Sequence, residues 1–135
     1  MPAKVLDSFA LLAYFRDEPG ADAVESLLVT ASRKDTPLLM TEVDYAEVKY
    51  TLVKKNGQAA WDEAAKVLQG LPIEFHPAGR ELADLAADFK ARVNFSLADA
   101  FAAALSKKHK AQLVTGDPEF KAVEKEVKIL WLRPE

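Results

Sequence analysis

The sequence has no cysteine, which excludes disulfides, zinc–thiolate sites and cysteine nucleophiles together. A chain without thiols fits a reducing cytoplasm, the expected location. No apolar run approaches the ~20 residues needed to span a bilayer. Met1-Pro2-Ala3-Lys4 leads directly into Val5-Leu6, too briefly for a secretory leader, so no membrane association is expected. A basic surplus is also missing: 18 Lys and Arg stand against 21 Asp and Glu, a net charge of -3. Proteins that hold nucleic acid by general attraction usually carry such a surplus. Any polyanionic partner here would need local basic patches or bound cations. Repeats, low-complexity tracts and Gly/Ser linkers are absent too.

What is present is a chain of 135 residues, half of them hydrophobic, enough for one compact domain over 1–135 with a core that needs no staples. Apolar strands and amphipathic helices alternate. Short buried strands are expected at Ala3–Leu6, Pro37–Met40, Pro72–Phe75, Gln112–Thr115 and Val127–Leu132. Helices are expected over Ser8–Arg16, Ala21–Ser32, Thr41–Lys55, Gln58–Gln69, Gly79–Val93 and Ser96–Lys110, with a short one at Phe120–Glu124. Asn56-Gly57 is a C-terminal stop signal. Strands separated by helices pair in parallel, which predicts an α/β fold, a three-layer α/β/α sandwich around a parallel sheet of about five strands. The apolar, non-alternating strands agree, being of the kind covered on both faces.

In open α/β sheets ligands bind beyond the carboxyl ends of the strands. Asp7 ends the first strand and Asp117 follows the fourth. Each also suits a helix N-cap, and Asp117 precedes a proline of the kind favoured at a first helical position. Asp99 completes a capping box with Ser96, yet it is the only ionisable group in an apolar helix before Lys107. Glu47 is the most informative. Thr41-Glu42-Val43-Asp44 already has the form of a capping box. With Val43 set at 0°, Ala46 falls near about -60°, Glu47 near about 40° and Tyr50 near about -20°. That places Glu47 within an apolar stripe flanked by Glu42 and Asp44. A buried carboxylate must be protonated, paired or bound to a metal. No core cation offers itself, since Lys54 lies two turns away and can snorkel outward.

Four acids converging above a sheet repel one another unless a divalent cation neutralises them. Oxygen ligands without His or Cys favour Mg²⁺ or Mn²⁺, ions suited to phosphodiester hydrolysis. The two histidines carry little weight: His76 sits at a strand end and His109 in the basic run that closes a helix. Ser8 has no histidine nearby in sequence to make it a nucleophile. Leu11, Leu12, Phe15, Trp61 and Phe89 exceed an easy core count, and some are expected to face a partner.

Four stretches then fall into a known order. Val5-Leu6-Asp7-Ser8, Thr41-Glu42-Val43-Asp44-Tyr45-Ala46-Glu47-Val48, Ser96-Leu97-Ala98-Asp99-Ala100 and Leu113-Val114-Thr115-Gly116-Asp117-Pro118-Glu119-Phe120 resemble the motifs of the PIN-domain ribonucleases, and above all the VapC-like toxins of toxin–antitoxin pairs. The likeness runs from residue 4 to 132. It implies that Asp7, Glu47 and Asp99 are metal ligands, with Asp117 a fourth ligand or a water-mediated one. It also implies hydroxyls of Ser8 and Thr115 lining the site, RNA cleavage by metal-activated water, a homodimer and an antitoxin partner. Glu119 stands where many relatives have Asp, which leaves its role open, and Glu42 is a rival to Glu47. Two other readings stay in view, a non-catalytic interaction module on the same fold and a housekeeping RNA-processing nuclease. A phospho-acceptor receiver domain is set aside, because Asp7 has no acidic neighbour and no lysine follows the fourth strand.

Overall fold

The computed structural model describes residues 3–132, so Met1 and Pro2, read above as the lead into the first strand, lie outside the described residues. Five strands form one sheet: β1 (Lys4–Leu6), β2 (Leu38–Thr41), β3 (Ile73–His76), β4 (Gln112–Thr115) and β5 (Ile129–Trp131). Six α-helices fill the intervals: α1 (Ser8–Phe15), α2 (Ala21–Lys34), α3 (Glu42–Asn56), α4 (Gln58–Gln69), α5 (Arg80–Arg92) and α6 (Leu97–His109). A 3-10 helix spans Pro118–Val123, overlapping the short helix expected at Phe120–Glu124. Gly57, at φ 94°, ends α3 in a conformation that L side chains rarely adopt, as its place after Asn56 suggests.

All neighbouring strands pair in parallel, in the order β3-β2-β1-β4-β5. From β1 the chain builds outward to β3, then returns to lay β4 on the other side of β1. The β1–β4 seam is therefore where strand order reverses, with Leu6 opposite Val114. Crevices at such a reversal, beyond the strand ends, are where open α/β sheets bind ligands.

Successive strand residues serve opposite faces. Val5, Leu39 and Leu113 join a core shared with α5 and α6, through Leu82, Phe89, Phe101 and Leu105. Leu6, Leu38 and Val114 pack on the other face against Val24 and Leu28 of α2. Met40 continues that side with Leu11, Val48, Leu52 and Trp61. β1, β2 and β4 are thus covered on both faces, which accounts for their apolar character, while Glu74 of edge strand β3 is exposed. Ala98 through Ser106 are all buried, so α6 is an internal helix, as its sequence suggests.

Of the five apolar residues from which some are expected to face a partner, Leu11, Trp61 and Phe89 belong to the core, whereas Leu12 and Phe15 are only partly buried. The sheet needs filling on both faces, and this absorbs more side chains than a simple count allows. Among the described residues, the large apolar side chains that do face solvent are Phe9, Val29, Tyr50, Val67 and Leu97.

Candidate active site

Asp7 follows β1 directly, so the parallel sheet fixes its place at the seam. It caps α1, its Oδ1 accepting the Ala10 N–H at 2.8 Å. Its Oδ2 accepts the Thr115 hydroxyl from the end of β4 at 2.5 Å. Thr115 in turn accepts the Asp117 N–H at 3.0 Å. The two strand ends are therefore tied through one threonine. Asp7 is fully buried, and burial pushes its carboxyl well above the ordinary range, with Asp44 and Asp99 adding repulsion.

On α3 the structure corrects the helical-face reading. The buried residues are Asp44, Val48 and Leu52, whereas Ala46 and Tyr50 are exposed. In the frame that set Val43 at 0°, the buried stripe centres near about 140°, and Glu47 lies on its border. Glu47 is half-buried, its Oε2 accepting the Tyr50 hydroxyl at 3.3 Å. The buried acid of this helix is Asp44.

The expected capping box on α3 is only half present. Thr41 is the N-cap and accepts the Asp44 N–H at 2.9 Å. The Asp44 carboxylate does not reach back. Its Oδ2 accepts the Thr41 hydroxyl at 2.5 Å and its Oδ1 accepts the Ser8 hydroxyl at 2.9 Å. Burial, opposed by these two bonds and reinforced by Glu47 and Asp99, pushes Asp44 up to about 7. Asp44 is thus a residue that sequence reasoning missed. The signal was available, since Val48 and Leu52 follow it at four-residue intervals.

Asp99 keeps its full capping box, with Ser96 N donating to its Oδ2 at 3.2 Å. It is buried, and desolvation with repulsion from Asp117 and Glu47 pushes it up to about 6. Asp117 caps the 3-10 helix, its Oδ1 accepting the Glu119 N–H at 2.9 Å. One carboxylate oxygen from each of Asp99, Asp117 and Glu119 lies within 4.8 Å of the others. Glu119 therefore joins the cluster. Glu42 is exposed and borders a recess with Tyr45 and Phe75, on the side of β3.

The acids thus form a cup with caps and ligand-like oxygens on the same residues. Asp7 lies within electrostatic reach of Asp44 and Asp99, Asp44 of Glu47, and Asp99 of Asp117. Its donors are hard carboxylate oxygens. Such a set fits Mg²⁺ or Mn²⁺, and a cation would offset the burial that chiefly lifts the buried carboxyls and the repulsion that adds to it.

The chain belongs to the PIN domain family, whose model matches residues 4–126. Among solved structures it resembles VapBC2 from Rickettsia felis, bound to a DNA fragment from their promoter, with a TM-score of 0.78 and 15% identity over 97% of this chain and 99% of that one. DNA-bound VapBC from Salmonella typhimurium gives 0.76 at 13% identity, over 98% and 100% of the two chains. VapC20 of Mycobacterium tuberculosis, a Sarcin-Ricin loop cleaving toxin, gives 0.73 at 16% identity, over 90% and 95%. At such identities the likeness establishes a shared fold. No curated protein matches the chain.

Proposed function

We propose that this PIN-domain chain is an endoribonuclease dependent on Mg²⁺ or Mn²⁺, acting in the cytoplasm as the toxin of a toxin–antitoxin pair. The observation that carries the reading is the meeting of acids from separate segments at the sheet's switch point, with Asp99, Asp117 and Glu119 presenting oxygens within 4.8 Å. Membership in the PIN family supports nuclease chemistry. Two of the similar structures are VapBC complexes and one is a toxin that cleaves the Sarcin-Ricin loop, which supports RNA as substrate and an antitoxin as partner. A homodimer is the expected free form.

Asp7, Glu47, Asp99 and Asp117 would hold the cation, with Glu119 beside them. When bound, it would supply positive charge for the scissile phosphate and lower the pKa of a water. The chain's own part is positioning. Thr115 and the Ala10 N–H fix Asp7, and the Ser96 cap fixes Asp99. Ser8 and Thr41 hold Asp44 beneath them, so the charges of the cup keep their places before substrate arrives.

The test is a cleavage assay on total RNA with Mg²⁺ or Mn²⁺, mapping the cut ends. Discrete cuts that vanish with EDTA and with Asp99→Asn are expected. RNA left whole with either metal would instead favour an interaction module that keeps the fold.

A further inference from the structure

Large apolar side chains exposed singly are ordinary on a protein surface, so it is their place beside a charged pocket that gives them meaning. Among the described residues five are exposed, and three of them adjoin the acids. Phe9 (41% exposed) lies two residues after Asp7, Tyr50 (54%) three after Glu47, and Leu97 (55%) two before Asp99. The hydroxyl of Tyr50 is tied to Glu47 itself. A carboxylate cup that handled only phosphate and water would gain nothing from an apolar rim.

Phe9 is the best placed of the three. It sits in the first turn of α1, whose N-cap is Asp7. Its Cδ1, Cε1 and Cζ edge lies against Gly116, so closely that any Cβ at that position would collide with the ring. Gly116 is the residue between Thr115 and Asp117. The ring, carried on the helix that Asp7 caps, therefore lies along Gly116 beside Asp117 and is partly open to water. A side chain at position 116 would push the ring aside, so glycine lets Phe9 keep this place.

We propose that Phe9 is a substrate-positioning residue on which a nucleobase next to the scissile phosphate stacks. The inference rests on the nuclease reading above. Every base offers a π-face, and an exposed aromatic side chain beside a phosphate site is how single strands are held with little regard to sequence. Because the ring is held by α1 and Gly116 before binding, little conformational freedom is lost on stacking. Such a contact also supplies attraction that a chain of net charge -3 cannot draw from its overall field.

The test uses the full-length protein with an unstructured RNA carrying 2-aminopurine at every third position. Ca²⁺ replaces Mg²⁺ so that RNA is held without turnover, and stacking is read as fluorescence quenching. Wild type should quench. Phe9→Leu should lose the quenching, weaken RNA binding on the order of 5- to 150-fold, and cut total RNA more slowly. Phe9→Trp should restore all three. Should Phe9→Leu melt below the assay temperature, Phe9→Met carries the same comparison. The proposal is overturned if Phe9→Leu quenches and cleaves like wild type. It is equally overturned if that variant only changes the oligomeric state or the hold on a protein partner, which would make Phe9 an interface residue. A wild type that neither binds nor cuts RNA would instead overturn the nuclease reading, a separate and recognisable result.

Discussion

The two halves of the acidic cup are built on opposite terms. In the inner half, Asp7 and Asp44 are wholly enclosed, and each of their four carboxylate oxygens already accepts a hydrogen bond from a hydroxyl or a backbone N–H. In the outer half, Asp99, Asp117 and Glu47 each have one oxygen engaged, and Asp117 and Glu119 face the opening. Fixed donors on the inner oxygens hold charge in place at the cost of desolvation. The outer oxygens keep capacity for something outside the protein. Asp44 is support and the outer acids are contact, with Asp7 joining the two: each of its oxygens accepts one hydrogen bond and keeps a lone pair for a cation.

The largest expected effect lies in the outer half. Asp99→Asn and Asp117→Asn keep an oxygen for their caps but remove the charge a hard cation needs. RNA cleavage should fall about 100-fold or more, at or beyond the loss seen when a group supporting a metal ligand is removed. Circular dichroism and melting should show the fold intact. Full cleavage by either variant would reduce that residue to a helix cap.

In the inner half, Asp44→Asn should act on stability and activity in opposite directions. A carboxyl pushed up to about 7 opposes folding whenever it is charged, by on the order of 4 kcal/mol at most. The amide should therefore raise metal-free stability at pH 8 while lowering cleavage about 10- to 100-fold, as for other groups that orient a site from behind. A variant that is silent in both measurements would mean that the hydroxyls of Ser8 and Thr41 need no charge to hold.

The smallest effect lies on the far side of α3. Glu42→Gln, at an exposed position away from the cup, should change stability by less than about 0.5 kcal/mol and leave cleavage unchanged. Glu47→Gln, at a cation-holding position on the same helix, should instead lower cleavage as Asp99→Asn does, with fold and partner binding retained. The reverse pattern would move the cup to the other side of the helix.

Much of this architecture is legible in the chain because the strands announce themselves. Gln112–Thr115 and Gln58–Gln69 have the expected bounds, and the Ser96–Asp99 box forms in full. α3 is where the reading slips, for a physical reason. It packs against α1, α4 and α6 at once, so more than one side of it is covered, and Val43 serves the core on the far face of the sheet. A stripe drawn through Val43, Ala46 and Tyr50 therefore follows real apolar residues and still misses the buried line of Asp44, Val48 and Leu52. Asp44 was also hidden by a plausible role. The sequence Thr41-Glu42-Val43-Asp44 reads as a cap, and only the approach of Ser8 from another helix turns its carboxylate inward. Glu119 was undecided because a side chain's reach across a turn is not written in spacing.

The central claim is that these acids are gathered for a divalent cation, and the melting temperature between pH 4 and pH 8, with and without Mn²⁺, tests it most directly. For carboxyls raised as Asp99 and Asp44 are, to about 6 and about 7, the folded state binds more protons than the unfolded one between about pH 4 and pH 7. Stability contributed by the protonated forms is thus present at acid pH and lost as pH rises through those values. The metal-free protein should melt progressively lower toward pH 8. Mn²⁺ should restore the loss at pH 8 and do little near pH 4, where the ligands are protonated. A metal-free melting curve that is flat across this range, together with no response to Mn²⁺ at pH 8, would contradict it.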